Sequence, residues 1–173
     1  DVVGALSATL ATMGHEVRVF MPMYSFIEKE GWHKSLSFLI PMLGGNEKAE
    51  IFEKEENGVL YVGLSHPYFS KRLGIYGDTS FQPYSDNCPR FLCFAKAVAL
   101  YLAATDWKVD IVHCHDWTTG LVPYYLKYFK VEAKTVFTIH NLAYQGVFPP
   151  FDAIISSSRI PKSALRGPKA HEN

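Results

Sequence analysis

In "VDIVHCHDWTTGLVPYYL", residues 109–126, His113, Cys114, His115 and Asp116 stand side by side and Trp117 follows directly. Imidazole, thiol and carboxylate groups can bind metal, move protons or attack an electrophile, so each chemistry has to be weighed. Alternate strand residues point to opposite faces, so His113 and His115 could share a metal only with ligands brought from elsewhere, and the chain has no ordinary zinc spacing. No metal is expected. A Cys114 nucleophile served by His140 has as little support, because nothing local would lower the thiol pKa and a strand cysteine usually packs as a small hydrophobe. Asp116 could be a general base, or it could cap the helix that follows. His113 reads as an inward, packed strand histidine. His115 lies one step further, in the loop, and is as well placed to meet a ligand as to pack.

Two further stretches carry polar groups of the same kind. "HNLAYQG" offers His140, Asn141, Tyr144 and Gln145, and "YSDNCPRF" offers Asp86, Asn87 and Arg90. On local rules alone, Asp86 caps a helix, Pro89 suits its first turn, and Arg90 is a surface arginine. Gly44-Gly45 and the isolated glycines match no phosphate-cradling motif. Arg159, Lys162, Arg166 and Lys169 are most simply a solvated basic end rather than a nucleic-acid site.

The elements that must hold these groups follow from periodicity. Val3, Leu6, Leu10 and Met13 recur at helical spacing with Gly14 as C-cap, and residues 15–22 form a strand stopped by Pro22. Residues 23–48 are expected to be irregular. Two β-prone runs in residues 49–69 flank Asn57-Gly58, a pair that favours a tight hairpin turn. A loop leads to Ser85, and a helix follows with Phe91, Phe94, Val98 and Tyr101 on one face. "VDIVH" is a strand, "TTGLVPYYLKYF" a helix despite Pro123, and "AKTVFTIH" another strand. This alternation predicts a doubly wound, Rossmann-like α/β fold with a mainly parallel sheet and a β-hairpin excursion. Ligands of such sheets bind beyond the C-terminal strand ends, so His115 and Asp116 are expected beside His140 and Asn141 at one cleft.

Composition narrows the classes. With 173 residues, 48% of them hydrophobic, one domain is expected, and 17 basic residues balance 17 acidic ones. No global field favours nucleic acid or an anionic membrane. The 3 cysteines form no CxxC array and no apolar run approaches the ~20 residues needed to span a bilayer, which predicts a soluble chain in a reducing compartment. Asp1 already lies inside a helical pattern, which reads as a cut that removes a preceding strand and uncovers a sheet edge. The tail, residues 150–173, is expected to be loosely ordered.

Taken together, "DVVGALSATLATMGHEVRVFMPMY", "YSDNCPRF", "VDIVHCHDWTTGLVPYYLK" and "KTVFTIHNLAYQGVFP" resemble the N-terminal domain of glycogen and starch synthases that use ADP-glucose, glycosyltransferase family 5. The resemblance covers roughly residues 1–149 and stops at the tail. It implies the N-terminal, acceptor-side half of a GT-B enzyme, a retaining transferase that adds glucose from ADP-glucose to the non-reducing end of an α-1,4-glucan without a cofactor. It further implies that His115 approaches the donor glucose and that Asp86 lines the cleft. Asn87, Arg90, Asp116, Trp117, His140, Asn141, Tyr144 and Gln145 would line or support that cleft and bind substrate.

Two departures shape the functional expectation. The family's glycine-rich K-x-G-G-L-A segment and its C-terminal donor domain are absent from this sequence, so residues 1–173 alone are expected to be inactive. The expected partners are ADP-glucose and glycogen or starch in a full-length parent, with neither nucleic acid nor membrane. The expected compartment is the cytoplasm, or a plastid if the source is a plant. The alternatives are a non-catalytic glucan-binding module, with Tyr68, Tyr76, Phe81 or Tyr84 stacking on sugar rings, and a fragment of a GT-B enzyme that uses another nucleotide sugar.

Overall fold

A computed structural model describes residues 2–42 and 45–148. The expected loose tail with Arg159, Lys162, Arg166 and Lys169, and Gly44 of the glycine pair, lie outside the described residues. Among the described residues two compact units are present: residues 2–38 with 48–84 form one, and residues 39–42, 45–47 and 85–148 form the other.

In the first unit, α1 (Val2–Thr12) leads into β1 (Val17–Pro22), as its spacing predicts. Val3, Leu6 and Leu10 are half-buried, whereas Met13 is exposed beyond the helix end. The hairpin of β3 (Gly45–Glu56) and β4 (Val59–Ser65) turns at Asn57 and Gly58, with φ of 53° and 75°. Positive φ at both central residues matches the right-handed twist of the flanking strands. β4 also pairs in parallel with β1, Val17 opposite Val59.

The expectation of irregular structure through residues 23–48 is overturned by β2 (His33–Met42), which completes a sheet of order β1-β4-β3-β2. Leu36, Phe38 and Ile40 alternate inward along it, a period of 2 that was open to reading. A second correction concerns residues 67–69, which the β-prone run of residues 49–69 includes. They form a short helix, α2 (Pro67–Ser70), because Pro67 suits a first turn and the His66 Nδ1 atom accepts the Tyr68 amide at 3.2 Å.

The second unit is built around α3 (Asn87–Ala104). Phe91, Phe94, Val98 and Tyr101 are buried as expected, but so are Leu92, Cys93, Lys96, Ala99 and Leu102, so the helix is enclosed on all sides from Arg90 to Leu102. Each large apolar side chain enclosed in this way contributes about 1.5–3 kcal/mol. β5 (Ile111–His115), a single 3-10 turn (Trp117–Thr119), α4 (Val122–Tyr128) and β6 (Lys134–Thr138) follow. Pro123 falls in the first turn of α4, where its missing N–H costs nothing. β5 and β6 pair in parallel from Ile111 opposite Lys134 to His115 opposite Thr138, so β5-α4-β6 is a βαβ unit. The chain is α/β with parallel strand pairs, and among the described residues these pairs lie in two sheets rather than one. Strand alternation predicts crossovers but not which strands share hydrogen bonds.

Candidate functional site

β5 runs two residues further than "VDIVH" suggested, so His115 is the last residue of the strand and not part of the loop. His113 and His115 therefore share one face, with ring centroids 4.2 Å apart and planes 27° from parallel. Cys114 takes the opposite face and is buried, which pushes its thiol up to about 11. A thiol held in this way is a poor nucleophile at neutral pH. His113 is not packed inward as expected. It lies on the exposed face, with its Nε2 atom 2.7 Å from Thr138 Oγ1.

Asp116 does not cap the turn that follows it. Its Oδ1 atom instead accepts the backbone amide of His140 at 2.7 Å and that of Asn141 at 3.5 Å. Its own amide donates to Thr138 O at 2.9 Å, and Thr119 Oγ1 donates to His115 O at 2.8 Å. The two strand ends are thus knitted together. Asp116 has φ 57° and ψ 179°, a combination occupied almost only by glycine. Such backbone strain persists where surrounding contacts over-determine it, and it clusters at functional sites.

The ladder brings His115 to His140 as parallel pairing predicts, with Nδ1 of the former 3.0 Å from Nε2 of the latter. Partial burial lowers the His115 pKa below its ordinary value, the positive charge available to His113 and His140 lowers it further, and Asp116 opposes them. Beyond the strand, Asn141 Oδ1 accepts the Ala143 amide at 3.0 Å, and Gln145 Nε2 donates to Leu142 O at 3.1 Å. Tyr144 is exposed. Among the described residues, no three His, Cys, Asp or Glu side chains are grouped as a metal ion would require.

Trp117 anchors the apolar side of the site. Its ring meets Phe91 edge-on at 5.0 Å and Phe148 at 5.5 Å. A pocket of about 470 Å³ opens beside it, lined by Phe91, Trp117, Leu121, Phe137, Gln145 and Val147 among others. Phe91 links this turn to the start of α3, where the other expected residues sit. Asp86 occupies the N-cap position without a side-chain capping bond, contrary to the local rule. Arg90 is 0% exposed, which overturns its reading as a surface arginine. An all-round buried helix leaves it no route to water, and its Nη1 atom donates to Asn87 Oδ1 at 2.6 Å.

Local reasoning missed Thr138, Thr119 and Phe148. The first had a signal: "HCH" and "TIH" in parallel register put Thr138 opposite His115.

The model of the family described as "Starch synthase catalytic domain" matches residues 1–172. The glycogen synthase of Geotalea daltonii is 41% identical over 159 residues, which cover 86% of this chain and 32% of the relative. That of Halalkalibacterium halodurans is 38% identical, covering 87% and 31%. The chain thus spans about a third of the length of the curated relatives it matches. A solved structure, the catalytic domain of starch synthase IV from Arabidopsis thaliana bound to ADP and acarbose, superposes with a TM-score of 0.68 at 27% identity. It covers 84% of this chain and 31% of its own, and its catalytic domain is of the GT-B kind. No helix among the described residues is long and apolar enough to cross a membrane. Motifs and similarity agree, and the chain belongs to the starch synthase catalytic domain family.

Proposed function

We propose that this chain forms the acceptor-side part of a retaining glucosyltransferase that moves glucose from ADP-glucose to the non-reducing end of an α-1,4-glucan. The observation that carries this reading is the Asp116 clamp, which holds His115 and His140 together at the C-terminal ends of two parallel strands. Support comes from relatives named glycogen synthase and from a similar structure that holds ADP and acarbose.

The chemistry suits the residues. Glycosyl transfer develops positive charge on the sugar and negative charge on the departing group. His115, disposed to stay neutral, can hold a sugar hydroxyl without adding a competing positive charge, while the Asp116 carboxylate lies next to it in the chain. Tyr144 offers an aromatic face and Asn141 and Gln145 offer amide groups to sugar rings, with Trp117 packed behind them in support. Asp86 takes the cleft-lining role in this reading, and Asn87, which accepts a hydrogen bond from the enclosed Arg90, takes a supporting one. None of these roles needs a metal or cofactor. The cytoplasm, or a plastid in a plant, is the compartment that fits.

In the intact protein, transfer of labelled glucose from ADP-glucose to glycogen is expected, and His115→Ala should lower kcat by ~10²–10³, the range for losing one transition-state donor. An unchanged kcat would remove His115 from the site, and preference for another nucleotide sugar would change the donor. Residues 1–173 expressed alone should transfer nothing, because they match only about a third of the length of the relatives and transfer needs donor and acceptor positioned together. A second reading, a glucan-binding module, is favoured by Phe81, which is 94% exposed in a loop that also exposes Tyr76, although Tyr68 and Tyr84 are partly buried. Maltoheptaose binding by a protein that shows no transfer would select it.

A further inference from the structure

The rings of His115 and His140 are 16° from parallel with centroids 5.2 Å apart, and their nearest nitrogens are separated by 3.0 Å. At that nitrogen separation the rings meet edge to edge, in a hydrogen bond rather than a face-to-face stack. Such a bond needs one N–H and one lone pair. If His115 Nδ1 carries the proton, His115 Nε2 is a lone pair and the neutral His140 carries its proton on Nδ1. If His140 Nε2 carries it, His115 Nε2 is an N–H and His140 Nδ1 a lone pair. In both arrangements the two remaining nitrogens are one donor and one acceptor.

Each ring is also held in place. His113 lies against the face of His115 at 4.2 Å and is itself bound to Thr138. Asp116, next to His115 in sequence, fixes the His140 amide from the other side. The strained backbone of Asp116 is what lets one residue do both.

We propose that His140 and Asp116 are positioning residues that act through His115, so that the His115 imidazole meets a sugar hydroxyl as the donor or acceptor that its bond to His140 dictates. This rests on the reading of His115 as the sugar-facing group. A proton passed from the sugar hydroxyl to His115 Nε2 lets the Nδ1 proton move to His140 Nε2, and the exposed His140 gives its Nδ1 proton to solvent water, so no net charge accumulates on the pair. The titratable groups facing His115 are His113 on β5, His140 beyond β6 and Asp116. A second excess proton would set two N–H groups head to head, so the pair keeps its bond with at most one. The lowered His115 pKa agrees with this.

Nitrogen-15 histidine spectra of the intact protein test the pair without substrate. Between about pH 5 and 8, where imidazoles titrate, a nitrogen–nitrogen coupling across the hydrogen bond and a single His115 tautomer are expected. His140→Ala should abolish the tautomer preference and raise the His115 midpoint, Asp116→Ala should remove the coupling, and His140→Gln should partly restore the wild-type pH profile of kcat. Absence of the coupling in the wild type, or an unchanged His115 titration in His140→Ala, would overturn the proposal. If His140→Ala does not fold, the wild-type coupling alone decides. Coupling in a protein that transfers no glucose would retain the pair and discard the functional reading.

Discussion

Asp116 Oδ1 accepts the backbone N–H of His140 at 2.7 Å across 24 residues of sequence, so the carboxylate that ends one strand sets the direction in which the chain leaves the next. The imidazole contact and the loop that packs on Trp117 both start from this point.

The clamp and the backbone strain of Asp116 can be separated by substitution. Asp116→Ala removes the acceptor and keeps the unfavourable φ of 57°, whereas Asp116→Gly removes both. Loss of a charged hydrogen bond costs about 1.5–3 kcal/mol, and relief of strain returns about 1–3. Urea denaturation should therefore rank Asp116→Asn above Asp116→Gly, and Asp116→Ala last. Equal stability of the alanine and glycine variants would show that the backbone is not strained there.

Gly146 sits against the Trp117 ring. A Cβ there would lie 2.6 Å from Trp117 Cε3 and 2.9 Å from its Cβ, at a φ of +63°. Phe91 and Phe148 hold the indole from other sides, so it has little room to give. Gly146→Ala should cost about 1–3 kcal/mol, as overpacking usually does, and shift the Trp117 part of the fluorescence spectrum, obtained by difference from Trp117→Phe. An unshifted spectrum would contradict this packing.

Lys96 is 0% exposed, and its Nζ atom donates to Pro41 O at 2.6 Å beside the Tyr125 ring. Burial lowers its pKa to about 8, with Cys93 opposing. Unfolding returns the group to about 10.5, so between those values the unfolded chain binds more protons and the Lys96 contribution to stability rises with pH. The buried thiols act oppositely, since Cys88 and Cys93 are pushed up to about 12 and Cys114 to about 11. Comparison with Lys96→Met cancels most of the thiol effect. The stability of the wild type relative to that variant should rise from pH 8 to 10.5, and a flat difference would mean that the ammonium is hydrated.

Much of the element order was legible because it rests on local rules. Asn57-Gly58 supplied a turn that only positive φ permits, and α1, β1, α3 and the β5-α4-β6 unit followed from periods of 3.6 and 2. β2 is faint in the sequence because "HKSL" and Pro41 dilute an alternation that Leu36, Phe38 and Ile40 still carry. The short α2 escaped because His66 caps it with a ring nitrogen, a weak signal in sequence.

The residue types at the site, and their place beyond two strand ends, were in the sequence, since parallel order alone puts His115 near His140. Their partners were not. That Asp116 reaches forward to His140 instead of capping its own turn, that His113 faces out while Cys114 faces in, and that Arg90 is enclosed all follow from strand register and burial. Those quantities depend on contacts between residues some 25 positions apart and on which helix face finds cover. Periodicity within a dozen residues cannot encode them, and the packed chain decides them.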